Sequence, residues 1–70
     1  MIEVKVVKVP SVVKNVALED GSTVNTALET ACVDVPTNHK VTVNGDSQGT
    51  SFVLSDGDKI IIAKGAKGNL

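Results

Sequence analysis

The chain has 70 residues and a mass of 7.2 kDa, enough for one small domain and too short for two. With 41% hydrophobic and 21% charged residues, its composition is that of a folded protein rather than a disordered or collagenous one. A net charge of −1, seven lysines without arginine, and Phe52 as the only aromatic give no pull toward nucleic acid or anionic lipid and no base-stacking surface. Neither nucleic acid nor a membrane is therefore an expected partner.

Valine supplies 13 of the residues, and β-branching at that density favours strands. Ile2-Glu3-Val4-Lys5-Val6 alternates with the period of a half-buried strand. The alternation slips at Val6-Val7 and resumes toward Val9, which reads as a β-bulge or as a strand apolar on both faces there. Pro10-Ser11 interrupts the run. Val12, Lys14, Val16 and Leu18 then share one face of a second strand, so the two runs predict a hairpin.

Asp20-Gly21 marks a turn. Val24, Ala27, Leu28 and Ala31 follow at i, i+3, i+4 and i+7, which predicts a short helix capped by Ser22 or Thr23. Residues 33–40, containing Pro36, read as an exit loop. Val41-Thr42-Val43 is a third strand ending in the tight-turn pair Asn44-Gly45. Asp46 to Thr50 reads as loop, and Ser51-Phe52-Val53-Leu54 fits no single element. After Ser55-Asp56-Gly57-Asp58, the run Lys59-Ile60-Ile61-Ile62-Ala63-Lys64 predicts a central strand, paired with the first. The expected core is Val4, Val16, Leu18, Val24, Leu28, Val43, Ile60 and Ile62.

This element order, with Asp20-Gly21-Ser22-Thr23-Val24 opening the helix, resembles the β-grasp (ubiquitin-like) fold, and more closely the small sulfur carriers of thiamine and molybdopterin synthesis. In that family a Gly-x-Thr-Val step begins the helix, matched by Gly21-Ser22-Thr23-Val24, with Leu28 where a core residue turns inward. An Asn-Gly pair ends the third strand, matched by Val43-Asn44-Gly45, and a Leu-x-Asp-Gly-Asp turn feeds the last strand, matched by Leu54-Ser55-Asp56-Gly57-Asp58. The resemblance covers nearly the whole chain. It implies an α+β, β-grasp domain over residues 1–64, about four strands in a mixed sheet on one short helix, with 65–70 as a flexible tail. The hairpin before Gly21 is longer than the carriers usually have. Where carriers end in Gly-Gly, whose terminal carboxylate is adenylated and converted to a thiocarboxylate, this chain reads Gly68-Asn69-Leu70. A sulfur-carrier or ubiquitin-type modifier role would act through those three residues.

One cysteine, one histidine and no arginine leave little catalytic equipment. Cys32 has no basic neighbour in sequence and reads as a small buried or helix-end thiol. His39 lacks the Cys/His spacing of a metal site and reads as a solvated loop residue. Asp56-Gly57-Asp58, even with Asp46, lacks the spaced ligands and distal Glu of a calcium loop and reads as a plain hairpin turn. Gly65-Ala66-Lys67-Gly68 lacks phosphate-loop spacing. No catalytic residue, cofactor, metal or enzymatic activity is expected.

The last strand is more informative. If Ile60 and Ile62 face the helix, the two-residue period sends Ile61 and Ala63 to the opposite, uncovered face of the sheet. Ile61, with Val7, Thr42 and Ala63 as neighbours, is the candidate partner-binding surface. β-grasp proteins commonly bind partners on that face. The expected function is a protein-interaction module, or an accessory or structural subunit of a larger host or viral assembly. The alternative is the carrier or modifier role. The longest apolar run, Ile60 to Ala63, is four residues where a membrane helix needs about 20. No secretory signal pattern opens the chain, and the lone Cys32 suits a reducing compartment, so the expected location is cytoplasmic or within a viral particle.

Overall fold

The valine-rich segments and the short amphipathic stretch each have one apolar face, and the fold joins those faces. The structure, a computed structural model, describes residues 1–9 and 11–64. Its elements are β1 (Ile2–Lys8), β2 (Val12–Leu18), α1 (Val24–Ala31), β3 (His39–Val43), β4 (Asp46–Ser47) and β5 (Lys59–Lys64). The strands form one sheet in the order β2-β1-β5-β3-β4. β1 and β5 run parallel, and the other neighbours are antiparallel. The isoleucine run of β5 thus lies at the middle of the sheet beside β1, with α1 packed across one face. This is the α+β arrangement of the β-grasp, ubiquitin-like fold.

The core lies between that face and α1. Ile2, Val4 and Val6 enter it from β1, Leu18 from β2, and Val24, Ala27, Leu28 and Ala31 from the helix, against Val43, Ile60 and Ile62. Seven of the eight expected core residues are buried, and Val16 is half-buried against them. Val33 and Leu54, expected in a loop and in an unassigned segment, are buried as well.

Several local expectations are corrected. Val6-Val7 is not a bulge, because β1 and β2 pair in unbroken register from Ile2↔Leu18 to Lys8↔Val12. Val6 faces the core, and Val7 is an apolar residue on the outer face. The sheet has five strands rather than four, since Asp46-Ser47 folds back on Thr42-Val43 beyond the Asn44-Gly45 turn. Both turn residues adopt positive φ, 54° and 92°, as a two-residue hairpin of that hand requires. β3 begins at His39, pairing with Lys64, so His39 is a half-buried strand residue rather than a loop residue. Ser55-Asp58 is a turn but not a hairpin turn, because the strand it feeds pairs with β1 and β3. The expected tail, 65–70, and Pro10 lie outside the described residues.

The unassigned segment 50–54 has a definite task. α1 starts with two backbone amides that have no helical partner. Val24 donates to the Phe52 carbonyl at 3.0 Å and Asn25 to the Thr50 carbonyl at 2.9 Å. Leu54 donates to the Ser22 carbonyl at 2.8 Å, and Thr23 bridges Val53. An extended strap therefore completes the helix N-terminus and drops Leu54 into the core.

Candidate functional site

Among the described residues, the side of the sheet away from α1 carries no helix. Strand period and register place its residues in rows across the sheet. One row runs Val13, Val7, Ile61, Thr42, Ser47 from β2 to β4. Ala63 lies two residues along from Ile61 and pairs with Lys40. The four residues singled out in the sequence, Val7, Thr42, Ile61 and Ala63, therefore meet on one face, each half-buried by its strand neighbours.

Two features of this face were not legible in the sequence. Val13 is 61% exposed and extends the apolar row to the sheet edge, because the register sets it beside Val7. Val9, 49% exposed, follows β1 and still donates its amide to Ile62. The second feature is a cationic frame. Lys5 pairs with Lys59 on one side of the row, and Lys40 flanks Ala63 on the other. Like charges set opposite each other in a sheet are unfavourable when nothing balances them. Among the described residues the one ion pair joins the Met1 amino group to Asp20, 3.2 Å apart, so none of these lysines is neutralised. The signal for the frame was present as lysines alternating with the apolar residues, but only strand order brings Lys5 and Lys59 together.

The other candidates fall elsewhere. Cys32 ends the helix with an exposed thiol, in the left-handed conformation at φ 58°. His39 Nδ1 lies 3.3 Å from the Thr37 carbonyl, and no hydrogen bond joins it to Cys32. An open depression of about 700 Å³ beside the helix is lined by Leu28, Glu29, Cys32, Val33, Val35 and Thr50. No histidine or lysine lines it beside the thiol. Asp56 and Asp58 are engaged in the fold. Asp56 Oδ1 accepts from the Glu3 amide at 2.8 Å, and Asp58 accepts from the Ser55 amide and from Asn44 Nδ2, both at 2.8 Å. Asn44 Oδ1 in turn accepts from the Lys59 amide at 3.0 Å. The Asn-Gly and Asp-Gly-Asp motifs thus stitch β1, β3 and β5 together at one end of the sheet. Among the described residues no group of three His, Cys, Asp or Glu side chains is placed to hold a metal ion, and no helix is long and apolar enough to cross a membrane. Gly68, Asn69 and Leu70 lie outside the described residues.

No protein-family model matches the chain, and no curated protein matches it in sequence. Solved structures do. A crystal structure of small archaeal modifier protein 1 from Haloferax volcanii superposes with a TM-score of 0.79 at 13% identity, covering 94% of this chain and 100% of that one. A second structure of the same protein gives 0.75 at 15% identity, over 96% and 99%. A ubiquitin from Caldiarchaeum subterraneum gives 0.66 at 17% identity, over 97% and 98%. At these identities the likeness establishes the ubiquitin-like β-grasp fold.

Proposed function

We propose that this chain is a small, non-catalytic protein-interaction module whose outer sheet face binds a protein surface that is apolar at its centre and bears carboxylates around it. The observation that carries the reading is the row Val13, Val7, Ile61, Thr42, left open by the helix and framed by Lys5, Lys59 and Lys40, which form no ion pair among the described residues. On this face Lys5, Lys40 and Lys59 stand against Glu3 as the one carboxylate of β1, β3 and β5. A partner carboxylate set between Lys5 and Lys59 would relieve their repulsion while the apolar row is buried. A photo-crosslinking residue at position 61, followed by mass spectrometry, tests the face directly. The captured partner should bind Ile61→Lys more weakly by about 2–4 kcal/mol, the range of an interface hot spot. Equal affinity for a folded Ile61→Lys chain rejects the sheet-face interface.

A second reading is favoured by the likeness to small archaeal modifier protein 1: a modifier or sulfur carrier acting through its last residues, with Gly68 as the reactive end. Mass spectrometry of the chain from its native source separates the two. Trimming to Gly68, a thiocarboxylate, or an adduct to a lysine supports the modifier. A native chain that retains Asn69 and Leu70 and is recovered in a stable complex supports the module.

A further inference from the structure

We infer that the outer edge of β2 is a self-association site, at which a second copy of this chain pairs antiparallel with the first about Asn15. This site adjoins the outer face proposed above and shares Val13 with it, but it rests on backbone groups and not on that reading. It follows from where the backbone groups of β2 point.

The amide of Lys5 donates to the Asp58 carbonyl, the Glu3 carbonyl accepts from Gly57, and the amide of Val9 donates to the Ile62 carbonyl. The odd-numbered groups of β1 therefore face β5, and its even-numbered groups face β2. Even residues of β1 pair with even residues of β2, from Ile2↔Leu18 to Lys8↔Val12. That leaves the N–H and C=O of Val13, Asn15 and Ala17 pointing away from the sheet. β2 is its terminal strand, and no hydrogen bond from the described residues reaches those groups. A seven-residue edge of this kind is a template for another strand.

The chemistry of the edge selects a second copy of itself. Natural edges are commonly guarded by charge, and the one charge here is withdrawn. Lys14 turns to the helix side, where its ammonium donates to the Ala31 carbonyl at 2.7 Å. The three residues with free backbone groups are neutral and exposed, with an asparagine between two small apolar side chains. In a two-fold pairing centred on Asn15, Val13 meets Ala17 of the second copy, Ala17 meets Val13, and the two Asn15 side chains meet each other. An amide is both donor and acceptor, so this last pair is self-complementary. Three hydrogen-bonded pairs contribute about six backbone bonds. Moving the centre to Lys14 would leave Ala17 facing a residue beyond the strand. Moving it to Val16 would leave Val13 facing a residue beyond the strand. The Asn15 register alone joins all three free positions to one another.

A contact of one strand edge is smaller than the roughly 1,200–2,000 Å² of a stable interface, so the dissociation constant should lie between about 10 μM and 1 mM. Sedimentation equilibrium of the full chain should show the mass rising from 7.2 kDa toward twice that value across this range. Asn15→Pro should raise the dissociation constant at least about tenfold with the thermal melt retained, because a proline whose missing N–H faces outward on an edge strand is tolerated. If Asn15→Pro unfolds, Asn15→Lys and Asn15→Asp decide the question. Each alone should stay monomeric, and an equimolar mixture should form the mixed dimer. A chain that remains monomeric at about 1 mM overturns the inference. So does a dimer that both charged variants form as readily as the wild type.

Discussion

Cys32 occupies a position that glycine usually fills. Its φ of 58° belongs to the left-handed region, and its amide donates to the Glu29 carbonyl while that of Val33 reaches back to the Leu28 carbonyl at 3.0 Å. This is the Schellman ending of a helix, completed by packing Val33 with Leu28 in the core. The missing glycine explains why the sequence suggested an exit loop after Cys32 and concealed the burial of Val33. It also yields a prediction. Cys32→Gly should raise stability by about 0.5–1 kcal/mol, because the β-carbon strained in that conformation is removed. A denaturant melt that moves to lower midpoint would count against it. At the opposite end of the sheet, Asp58 ties Ser55 and Asn44, and its backbone carbonyl holds Lys5. Asp58→Ala should cost about 1–2 kcal/mol through loss of two hydrogen bonds to a carboxylate, read from the same kind of melt. The resemblance to the sulfur carriers rests partly on this residue, and its place in the structure shows that the shared motif is a structural one.

At the level of elements, the helix depends on its surroundings. Eight residues with β-branched Val24, Thr26 and Thr30 are too few to hold a helix in water. Its N-terminus is completed by the 50–54 strap and its C-terminus by Lys14 from β2. Leu28 faces the core one turn before the end. Leu28→Ala should cost about 2–5 kcal/mol, against a total of roughly 4–10 kcal/mol for a domain of this size. The variant is expected to melt at least about 8 °C lower, at 4–8 °C per kcal/mol. An unchanged melting temperature would mean that the helix face is misassigned. Periodicity made the helix and the first two strands legible, and the continuous β-branched run Ile60-Ile61-Ile62 did the same for β5. β4 and the strap were not legible. Two residues have no period, and the strap is defined by hydrogen bonds from a helix end far earlier in the chain, the Val24 amide to the Phe52 carbonyl and the Asn25 amide to the Thr50 carbonyl, rather than by its own composition.

 The outer face was legible in part. The period of β5 placed Ile61 there, but strand order was needed to bring Val13 and the lysine pair beside it.

For the molecule as a whole, the two faces of the sheet carry different duties. The inner face is closed by α1, and Ile60 and Ile62 are wholly buried there. Ile61 lies between them on the other face, so a charge introduced there leaves the core intact. Ile61→Lys should therefore shift stability by no more than about 1 kcal/mol, whereas Ile60→Ala or Ile62→Ala should cost about 2–5 kcal/mol. Parallel melts of the three variants check this division. A destabilisation by Ile61→Lys equal to that of its neighbours would show that the outer face is part of what holds the fold.

The central place of β5 has a consequence for how the chain is made. Synthesis runs from the N-terminus, and the strand that joins β1 to β3 is made after both of them. Until Lys59–Lys64 has left the ribosome, the β1–β2 hairpin and the β3–β4 hairpin have nothing between them. At about 5–20 residues per second the valine-rich strands wait for several seconds with their inner faces uncovered. The nascent chain should therefore remain sensitive to protease through residue 58 and become resistant only once β5 is available. Ribosome-bound chains arrested on either side of that strand, probed by brief proteolysis, would reveal the step. How long the earlier strands stay uncovered is thus set by when β5 emerges to join them.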